Sequence, residues 1–169
     1  MSDSTEALSI RTATEADAPL VRSLMLAAFE SLRDLDPPSS AFGESEADVA
    51  TAIARGGAAL AYLGETPVGS VRYEPQETWL YIGRLSVIPE MRRRGIAAAL
   101  MLAAESHAPD FGLDEAQVEM RSHLGGNRAL FESLGYQLVW ERPHPRNPAF
   151  TTVRMRKSLA ATTPPPSAP

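Results

Sequence analysis

The sequence predicts one α/β domain built on a mixed sheet of about seven strands and flanked by about four helices. The first predicted strands follow one another directly and the later ones alternate with helices, which is typical of a mixed sheet. At 169 residues, with 44% hydrophobic and 22% charged residues, the chain resembles a single globular domain. We expect the domain to span residues 1–159. The proline-rich end, 160–169, is expected to be a disordered tail, because proline fixes φ and removes a backbone donor.

The N-terminal part of the chain predicts one strand and two helices. A strand over Leu8–Arg11 precedes Thr14, a residue type that suits a helix N-cap. The first helix extends to Phe29, because apolar residues recur at helical spacing and form one buried stripe, namely Leu20, Val21, Leu24, Met25 and Ala28. Two prolines within Asp36–Ser40 interrupt the chain, and Glu44–Arg55 forms the second helix.

The remainder of the chain alternates strands with helices. Gly64–Pro67 is a predicted hairpin turn that joins the strands Ala58–Leu63 and Val68–Tyr73. Four later segments are predicted strands, namely Thr78–Val87, Gln117–Arg121, Tyr136–Glu141 and Thr151–Arg156. Two segments between them are predicted helices, namely Ile96–His107 and Asn127–Leu134.

The composition excludes several kinds of chemistry. The chain contains no cysteine and three histidines, which excludes a disulfide scaffold, a thiolate zinc site and a cysteine nucleophile, and we expect no metal. A net charge of −5 argues against nucleic-acid binding. No apolar run reaches the ~20 residues of a membrane span, and the N-terminus lacks the pattern of a secretory signal. We therefore expect a cytoplasmic protein that binds neither nucleic acid nor membrane; a monomer and a homodimer both stay open.

The segment Leu85–Leu100 combines a strand, an arginine-rich loop and a helix of small residues. The first N–H groups of a helix have no partner within the helix, and they carry a partial positive charge. Gly95 lets a ligand approach this backbone, Ala97 leaves the approach open, and Arg92–Arg94 add positive charge. The arrangement favours binding of a pyrophosphate, with a solvated charged turn as the alternative. It is neither a Walker loop nor a dinucleotide fingerprint, because it contains a single glycine and no Gly-Lys-Ser/Thr.

Two blocks of the sequence resemble the GNAT acyltransferase superfamily. Arg92–Ala97 matches its arginine/glutamine-x-x-glycine-x-glycine/alanine signature and follows Val87–Pro89, which is similar to the Val-x-Pro step of that superfamily. Val118–Arg121 and Asn127–Tyr136 resemble its later strand–helix–strand block. The resemblance covers roughly Leu8–Lys157. It implies a GNAT-like fold, with a mostly antiparallel sheet that is splayed between strands 4 and 5, and an acyl-CoA-dependent transfer.

The resemblance assigns the binding of acetyl-CoA to the splayed strand, the loop and the later helix. In the superfamily the backbone of the fourth strand holds the pantetheine arm, and amides at the start of the next helix hold the pyrophosphate. Carried over to this sequence, the expected acetyl-CoA-binding residues are Leu85, Ser86, Val87, Arg92, Arg93, Arg94, Gly95, Ile96, Ala97, Ala98, Asn127 and Phe131. For Asn127 a helix N-cap is the alternative role.

Direct acetyl transfer requires an amine that has lost its proton, because an ammonium cannot attack. The resemblance makes Glu119 the candidate base, and an ion pair with Arg121 or Arg84 is its alternative role. Many members carry a tyrosine acid where this chain has Phe131, which has no proton to donate. The thiolate of CoA then leaves unassisted or through water, or Tyr136, which we expect in the core, supplies the proton.

The acceptor site of the superfamily is built mainly from the first two helices and their connection. Here that connection carries Asp36, Phe42 and Glu44, which would suit a cationic or amphipathic amine. We also assign Arg84 to the acceptor site, with a structural role as the alternative. A helix-connecting loop capped by serines and Glu44 is the alternative for the connection as a whole.

The function that the sequence favours is N-acetylation of a primary amine of a small molecule or a peptide, with acetyl-CoA as the donor. Two other functions stay open. One is a non-catalytic acyl-CoA-binding or regulatory module, which the missing tyrosine allows. The other is an O-acyl or longer-acyl transferase that uses the same donor site.

Overall fold

The computed structural model describes residues 6–122 and 125–161. Seven strands in this part of the chain form one sheet, and they are β1 (Leu8–Thr12), β2 (Gly57–Leu63), β3 (Thr66–Pro75), β4 (Leu80–Val87), β5 (Glu115–Arg121), β6 (Gln137–His144) and β7 (Asn147–Ser158). Their order across the sheet is β1-β2-β3-β4-β5-β7-β6. Neighbouring strands are antiparallel, except for β4 and β5, which are parallel. The predicted mixed sheet is confirmed.

Four α-helices flank the sheet in the described residues, namely α1 (Ala18–Phe29), α2 (Glu46–Arg55), α3 (Ile96–Glu105) and α4 (Gly125–Ser133). Successive side chains of a strand point to opposite faces, and β2 shows how the helices divide between them. Leu60 packs with Val21 of α1 and Val49 of α2 on one face. Ala61 belongs to the larger cluster on the other face, with Leu100 of α3. Both faces of the sheet are therefore covered, and the core lies in two layers.

Three helices begin at residues other than those predicted. The first of them, α1, is preceded by a 3-10 turn over Glu15–Asp17 that starts after the expected cap, Thr14. The second helix starts at Glu46, not Glu44, because Ser45 caps it. The hydroxyl of Ser45 accepts a hydrogen bond from the Asp48 N–H (3.1 Å), and the Ser45 N–H donates to the Asp48 carboxylate (2.8 Å). The fourth helix starts at Gly125, so Asn127 lies inside the helix rather than at its N-cap.

The sheet opens between β4 and β5. The two strands pair at Leu80 with Ala116 and at Tyr81 with Gln117, and no further along. A bulge shifts the register of β4 immediately beyond this point, and Arg84 adopts a φ of 52° within it. A bulge bends and twists its strand, so the end of β4 diverges from β5. The expected splay is confirmed, and it positions the functional site.

The C-terminal strand ends close to the predicted domain boundary. The Leu159 N–H donates to the carbonyl of Asp114 (2.7 Å), and the Leu159 side chain packs on the core. Most of the predicted tail, residues 162–169, lies outside the described residues, as does His123.

Candidate functional site

A cavity of about 1080 Å³ runs through the opening between β4 and β5. We call the part next to α3 and α4 the donor half, which is formed by Leu85, Val87, Arg92, Arg93, Gly95, Ile96, Ala97, Ala98, Asn127 and Phe131. We call the opposite part the acceptor half, which is formed by Leu35, Ser39, Ser40, Arg84, Arg121, His144 and Arg146. Tyr81 and Glu119 line the cavity where the two halves meet, at and just beyond the last pair of β4 and β5.

The donor half is an anion site made of backbone. Gly95 is the N-cap of α3, has a φ of 76° and makes no side-chain cap. A β-carbon there would meet no atom of the described residues within 4 Å, so within this part of the chain the approach to the helix start is open. Unpaired N–H groups and the helix dipole favour a negative charge at such an end. Ile96 is 2% exposed and anchors the first turn in the core, while Ala97 lines the cavity with a small side chain.

The structure brings ten of the twelve residues expected to bind acetyl-CoA into the cavity lining, and Ser86 and Arg94 are the exceptions. Ser86 is buried outside the lining, and its hydroxyl donates to the carbonyl of Arg84 (2.8 Å). Arg94 is exposed outside the lining. Arg92 lines the cavity but donates to the carbonyl of Ala28 (2.8 Å), which ties the loop to α1. The three arginines therefore differ in position, and they cannot all contact a phosphate in the same way.

The residues present fit an acyl-CoA in the donor half. A strand that has left its neighbour offers backbone N–H and C=O groups to an extended ligand. The open helix start beside it suits a pyrophosphate, and the gap between the strands gives a long arm a path toward Glu119.

Glu119 lines the cavity and makes an ion pair, although not with the expected partners. Its carboxylate lies 2.7 Å from the Arg154 guanidinium, and its side chain is 34% exposed. Arg154 in turn lies over the rings of Trp79 and Trp140, at 6.0 and 5.2 Å from the ring centroids. The predicted alternative partners, Arg121 and Arg84, are not its partners. Arg154 therefore fixes the orientation of the candidate base.

Tyr81 is a functional candidate that the sequence analysis missed. Its ring lies over Gly83, where a β-carbon would come within 2.8 Å of the ring. The phenol makes no hydrogen bond to any of the described residues, and it lines the cavity beside Glu119. Burial, and then the negative charge of Glu119, raise the pKa of Tyr81 above its usual value. The sequence does show a tyrosine at the start of the splayed strand. It does not show where the ring of Tyr81 points, because that orientation depends on the missing side chain of Gly83.

Phe131 and Tyr136 form the apolar wall behind the donor half. Their ring centroids are 5.7 Å apart, and both residues are at most 5% exposed. The Tyr136 hydroxyl donates to the buried carboxylate of Glu105 (2.9 Å). Burial, and then the charge of Glu105, raise the pKa of Tyr136 well above its usual value. Tyr136 is a core residue, as expected, and it is not part of the cavity lining.

The acidic connection does not supply the acceptor half with free carboxylates. Glu44 is paired with Arg84 (2.6 Å) and Arg72 (2.9 Å). Burial opposes its charge, but the hydrogen bonds from the two arginines outweigh burial and hold the pKa of Glu44 below its usual range. Asp36, Phe42 and Glu44 lie outside the cavity lining, although all three were expected in the acceptor site.

The connection is instead tied down over the acceptor half by its main chain. Arg121 donates to the carbonyls of Pro37 and Pro38, and the side chain of Asn147 donates to the carbonyl of Asp36 (2.7 Å). Phe42 packs under the guanidinium of Arg33, 4.5 Å from the ring centroid. The charges that face the acceptor half are therefore mainly arginines.

A sheet opened beside a helix-start anion site, with a carboxylate and a phenol at the opening, defines an acyltransferase of the splayed-sheet class. The family model described as "Acetyltransferase (GNAT) family" matches residues 25–136. The chain belongs to the GNAT acetyltransferase family, and it is an acyltransferase whose donor is acetyl-CoA. No curated protein matches the chain by sequence.

Solved structures share this fold at low sequence identity. The protein yncA of Salmonella typhimurium, solved with its cofactor acetyl-CoA, is 16% identical with a TM-score of 0.71, over 96% of this chain and 99% of that one. The ribosomal-protein-S18-alanine N-acetyltransferase of Escherichia coli is 17% identical with a TM-score of 0.73, over 93% and 97%. An N-acetyltransferase of Staphylococcus aureus is 9% identical with a TM-score of 0.73, over 91% and 99%.

Two further observations concern metals and membranes. Among residues 6–122 and 125–161, no three histidine, cysteine or acidic side chains come together in a way that could hold a metal ion. Within the same residues, the helices are too short or too polar to span a bilayer.

Proposed function

We propose that the protein is an N-acetyltransferase that moves the acetyl group of acetyl-CoA directly to a primary amine. The observation that carries the proposal is the Glu119 carboxylate at the junction of the donor and acceptor halves, just beyond the last paired residues of β4 and β5. A carboxylate in this place can accept the proton of an amine that enters from the acceptor half.

In this proposal the donor half holds the acetyl-CoA by backbone groups. The main chain of Leu85–Val87 binds the extended arm, and the N–H groups of Arg93–Ala98 bind the pyrophosphate. Asn127 and Phe131 contact the arm from α4. When bound there, acetyl-CoA supplies a thioester whose carbonyl carbon is open to attack.

The proton balance of the transfer falls to Glu119 and Tyr81. An acceptor ammonium, with an ordinary pKa near 10, loses a proton to Glu119 before attack. Glu119 passes this proton to solvent. A bond then forms between nitrogen and the acetyl carbon, the carbon–sulfur bond breaks, CoA leaves as the thiolate, and the nitrogen gives its second proton to Glu119. Tyr81, whose raised pKa keeps it protonated, donates the proton to this thiolate and is reprotonated from solvent. Tyr81 thus fills the role that Phe131 leaves vacant.

The acceptor class is a small-molecule amine or the amino group of a peptide. The Escherichia coli structural neighbour is named for acetylation of an alanine of ribosomal protein S18, which supports an α-amino group as the acceptor.

The test is release of CoA, followed with a thiol reagent, across a panel of small amines and short peptides. We expect Glu119→Gln to lower turnover by roughly 10²–10⁴, the usual contribution of a general base, with little change in acetyl-CoA affinity. Glu115→Gln is the matched control, because it changes a carboxylate on the same face of β5 outside the cavity lining. Parental turnover in Glu119→Gln, or no CoA release with any amine, would contradict the proposal.

A further inference from the structure

The guanidinium groups in the cavity differ in whether a carboxylate faces them. Arg72 and Arg84 line the cavity and share Glu44, while Arg154, which lies outside the lining, pairs with Glu119. In the acceptor half, by contrast, no described carboxylate lies within ion-pair distance of Arg121 or Arg146. The contrast leaves two positive charges uncompensated in one part of the cavity.

Arg121 is held in place without being neutralised. It lies on β5 two residues beyond Glu119, so both side chains point to the same face of the sheet. Its guanidinium donates to the carbonyls of Pro37 and Pro38, which orients the group and leaves its charge intact. An arginine fixed from behind by carbonyls loses little side-chain entropy when it binds an anion.

Arg146 brings the second charge from the turn between β6 and β7. Its side chain lines the cavity and makes no hydrogen bond to the described residues, while its backbone N–H donates to the His144 ring (3.2 Å). Burial, and then the charge of Arg146, lower the pKa of Arg121. Two like charges that interact in a partly desolvated cavity are unfavourable unless an anion joins them.

We infer that Arg121 and Arg146 bind a carboxylate of the acceptor, so that the preferred substrate is a small amine that also carries a carboxylate. The inference rests on the proposed function and names its substrate class. A guanidinium fork matches the two oxygens of a carboxylate. Residues two apart on a strand lie about 7 Å apart, so the amine at Glu119 and the carboxylate at Arg121 belong to one compact molecule. Glu74, the other carboxylate of the cavity lining, lies beside Tyr81 at the paired end of the gap, away from this site.

The experiment compares amines that differ only in the carboxylate, namely tyramine with tyrosine, histamine with histidine and tryptamine with tryptophan. We expect kcat/KM to be at least about tenfold higher for the carboxylate member of a pair, a difference near 1.4 kcal/mol. Ethanolamine against O-phosphoethanolamine is a separate arm that tests whether phosphate serves as the anion. Equal kcat/KM within the carboxylate pairs, or a preference for the plain amines, would overturn the inference.

Two arginine variants assign the effect to the site. Arg146→Gln should raise KM for the carboxylate substrates much more than for the plain amines, so the preference for the carboxylate member of each pair should fall. Arg156→Gln removes the same charge from an exposed position of β7 outside the cavity lining, and it should leave this preference unchanged. Arg121→Lys keeps a donor for the Pro37 carbonyl and should still weaken the carboxylate preference. Unchanged selectivity in both cavity variants would contradict the inference.

A binding measurement separates this inference from the proposed function. N-acetyltyrosine and N-acetyltyramine are titrated calorimetrically into the protein in the presence of CoA. If N-acetyltyrosine binds more tightly than N-acetyltyramine, and Arg146→Gln abolishes this difference, the anion site is supported. This holds even if no amine of the panel releases CoA, because the absence of CoA release refutes only the proposed function. Equal binding of the two compounds refutes the anion site whether or not the protein is active.

Discussion

The donor and acceptor halves of the cavity are built in different ways. The donor half comes mainly from one continuous segment, Leu85–Ala98, and its binding groups are backbone N–H groups at a helix start. The acceptor half is assembled from side chains that are far apart in the chain, such as Arg121, which donates to the carbonyl of Pro37, 84 residues away. The first is a local property of the sequence. The acceptor half forms only when the sheet is complete. Its arginines therefore give it a positive charge, although the connection between α1 and α2 that covers it is acidic.

The largest expected effect concerns the donor half. Gly95→Glu places a carboxylate at the open start of α3, where it repels phosphates, so acetyl-CoA should no longer bind. Binding to the parent protein should stabilise it by about 2.7 kcal/mol at a hundredfold excess over Kd, and thermal shifts measure the difference. Gly112→Glu is the matched control, because Gly112 also has a positive φ (68°) and open space around it but lies outside the cavity lining. Loss of binding in both variants, or in neither, would contradict a backbone site at Gly95.

The next effect concerns the junction of the two halves. Tyr81→Phe should lower kcat about tenfold, less than the usual 10²–10⁴ of an acid catalyst, because a thiolate leaves readily. Tyr81 donates while protonated, and its pKa is raised, so the parental rate should rise with pH and start to fall only above about pH 10. The pH profile of kcat measures both. A profile already falling at pH 9 would assign the acid to another group.

A smaller effect, on stability, is expected at Glu44, which pairs with Arg84 of the acceptor half. Glu44→Gln leaves Arg72 and Arg84 without a countercharge and should cost about 2 kcal/mol at pH 7. Because the folded pKa of Glu44 is depressed, the difference from the parent should be full above about pH 5 and should shrink as the pH falls through that folded pKa. Urea unfolding at several pH values measures it. Glu30→Gln, in an exposed pair with Arg33, should have little effect; a pH-independent loss in Glu44→Gln would show that its charge is not the cause.

The smallest effect is expected at Phe131. Phe131→Tyr keeps the aromatic volume and should change stability by less than about 1.5 kcal/mol, as measured by thermal unfolding. Residue 131 lines the donor half, so a tyrosine there places a hydroxyl in the cavity. The double variant Tyr81→Phe/Phe131→Tyr should therefore turn over faster than Tyr81→Phe alone. A double variant as slow as Tyr81→Phe alone would mean that a hydroxyl at 131 does not reach the leaving thiolate.

The fold was predicted correctly from the sequence, and the segment that lines the donor half could be located in it, because both follow from local patterns. Hydrophobic spacing places α1, and a glycine before a run of small residues marks the open start of α3. The errors of a few residues at helix starts have local causes, as at Ser45, where the capping serine lies one residue later than the predicted helix start.

The acceptor half could not be predicted in the same way. From the sequence, Glu44 was expected to offer its carboxylate to the acceptor. In the fold, β3 and β4 bring Arg72 and Arg84 against Glu44, and both pair with it. Glu119 was predicted as a candidate base from the resemblance, but its partner Arg154 follows from the pairing of β5 with β7. The role of Tyr81 depends on the missing side chain of Gly83.

The central claim is that the acetyl group passes directly from the donor half to an amine in the acceptor half, and intact-protein mass spectrometry with parallel CoA release tests it most directly. The chain contains no cysteine that could hold the group as a thioester. We predict no acetylated protein after incubation with acetyl-CoA alone, and one CoA released for each amine acetylated once an acceptor is added. An acetylated protein that forms without acceptor and then loses its acetyl group to the amine would contradict direct transfer.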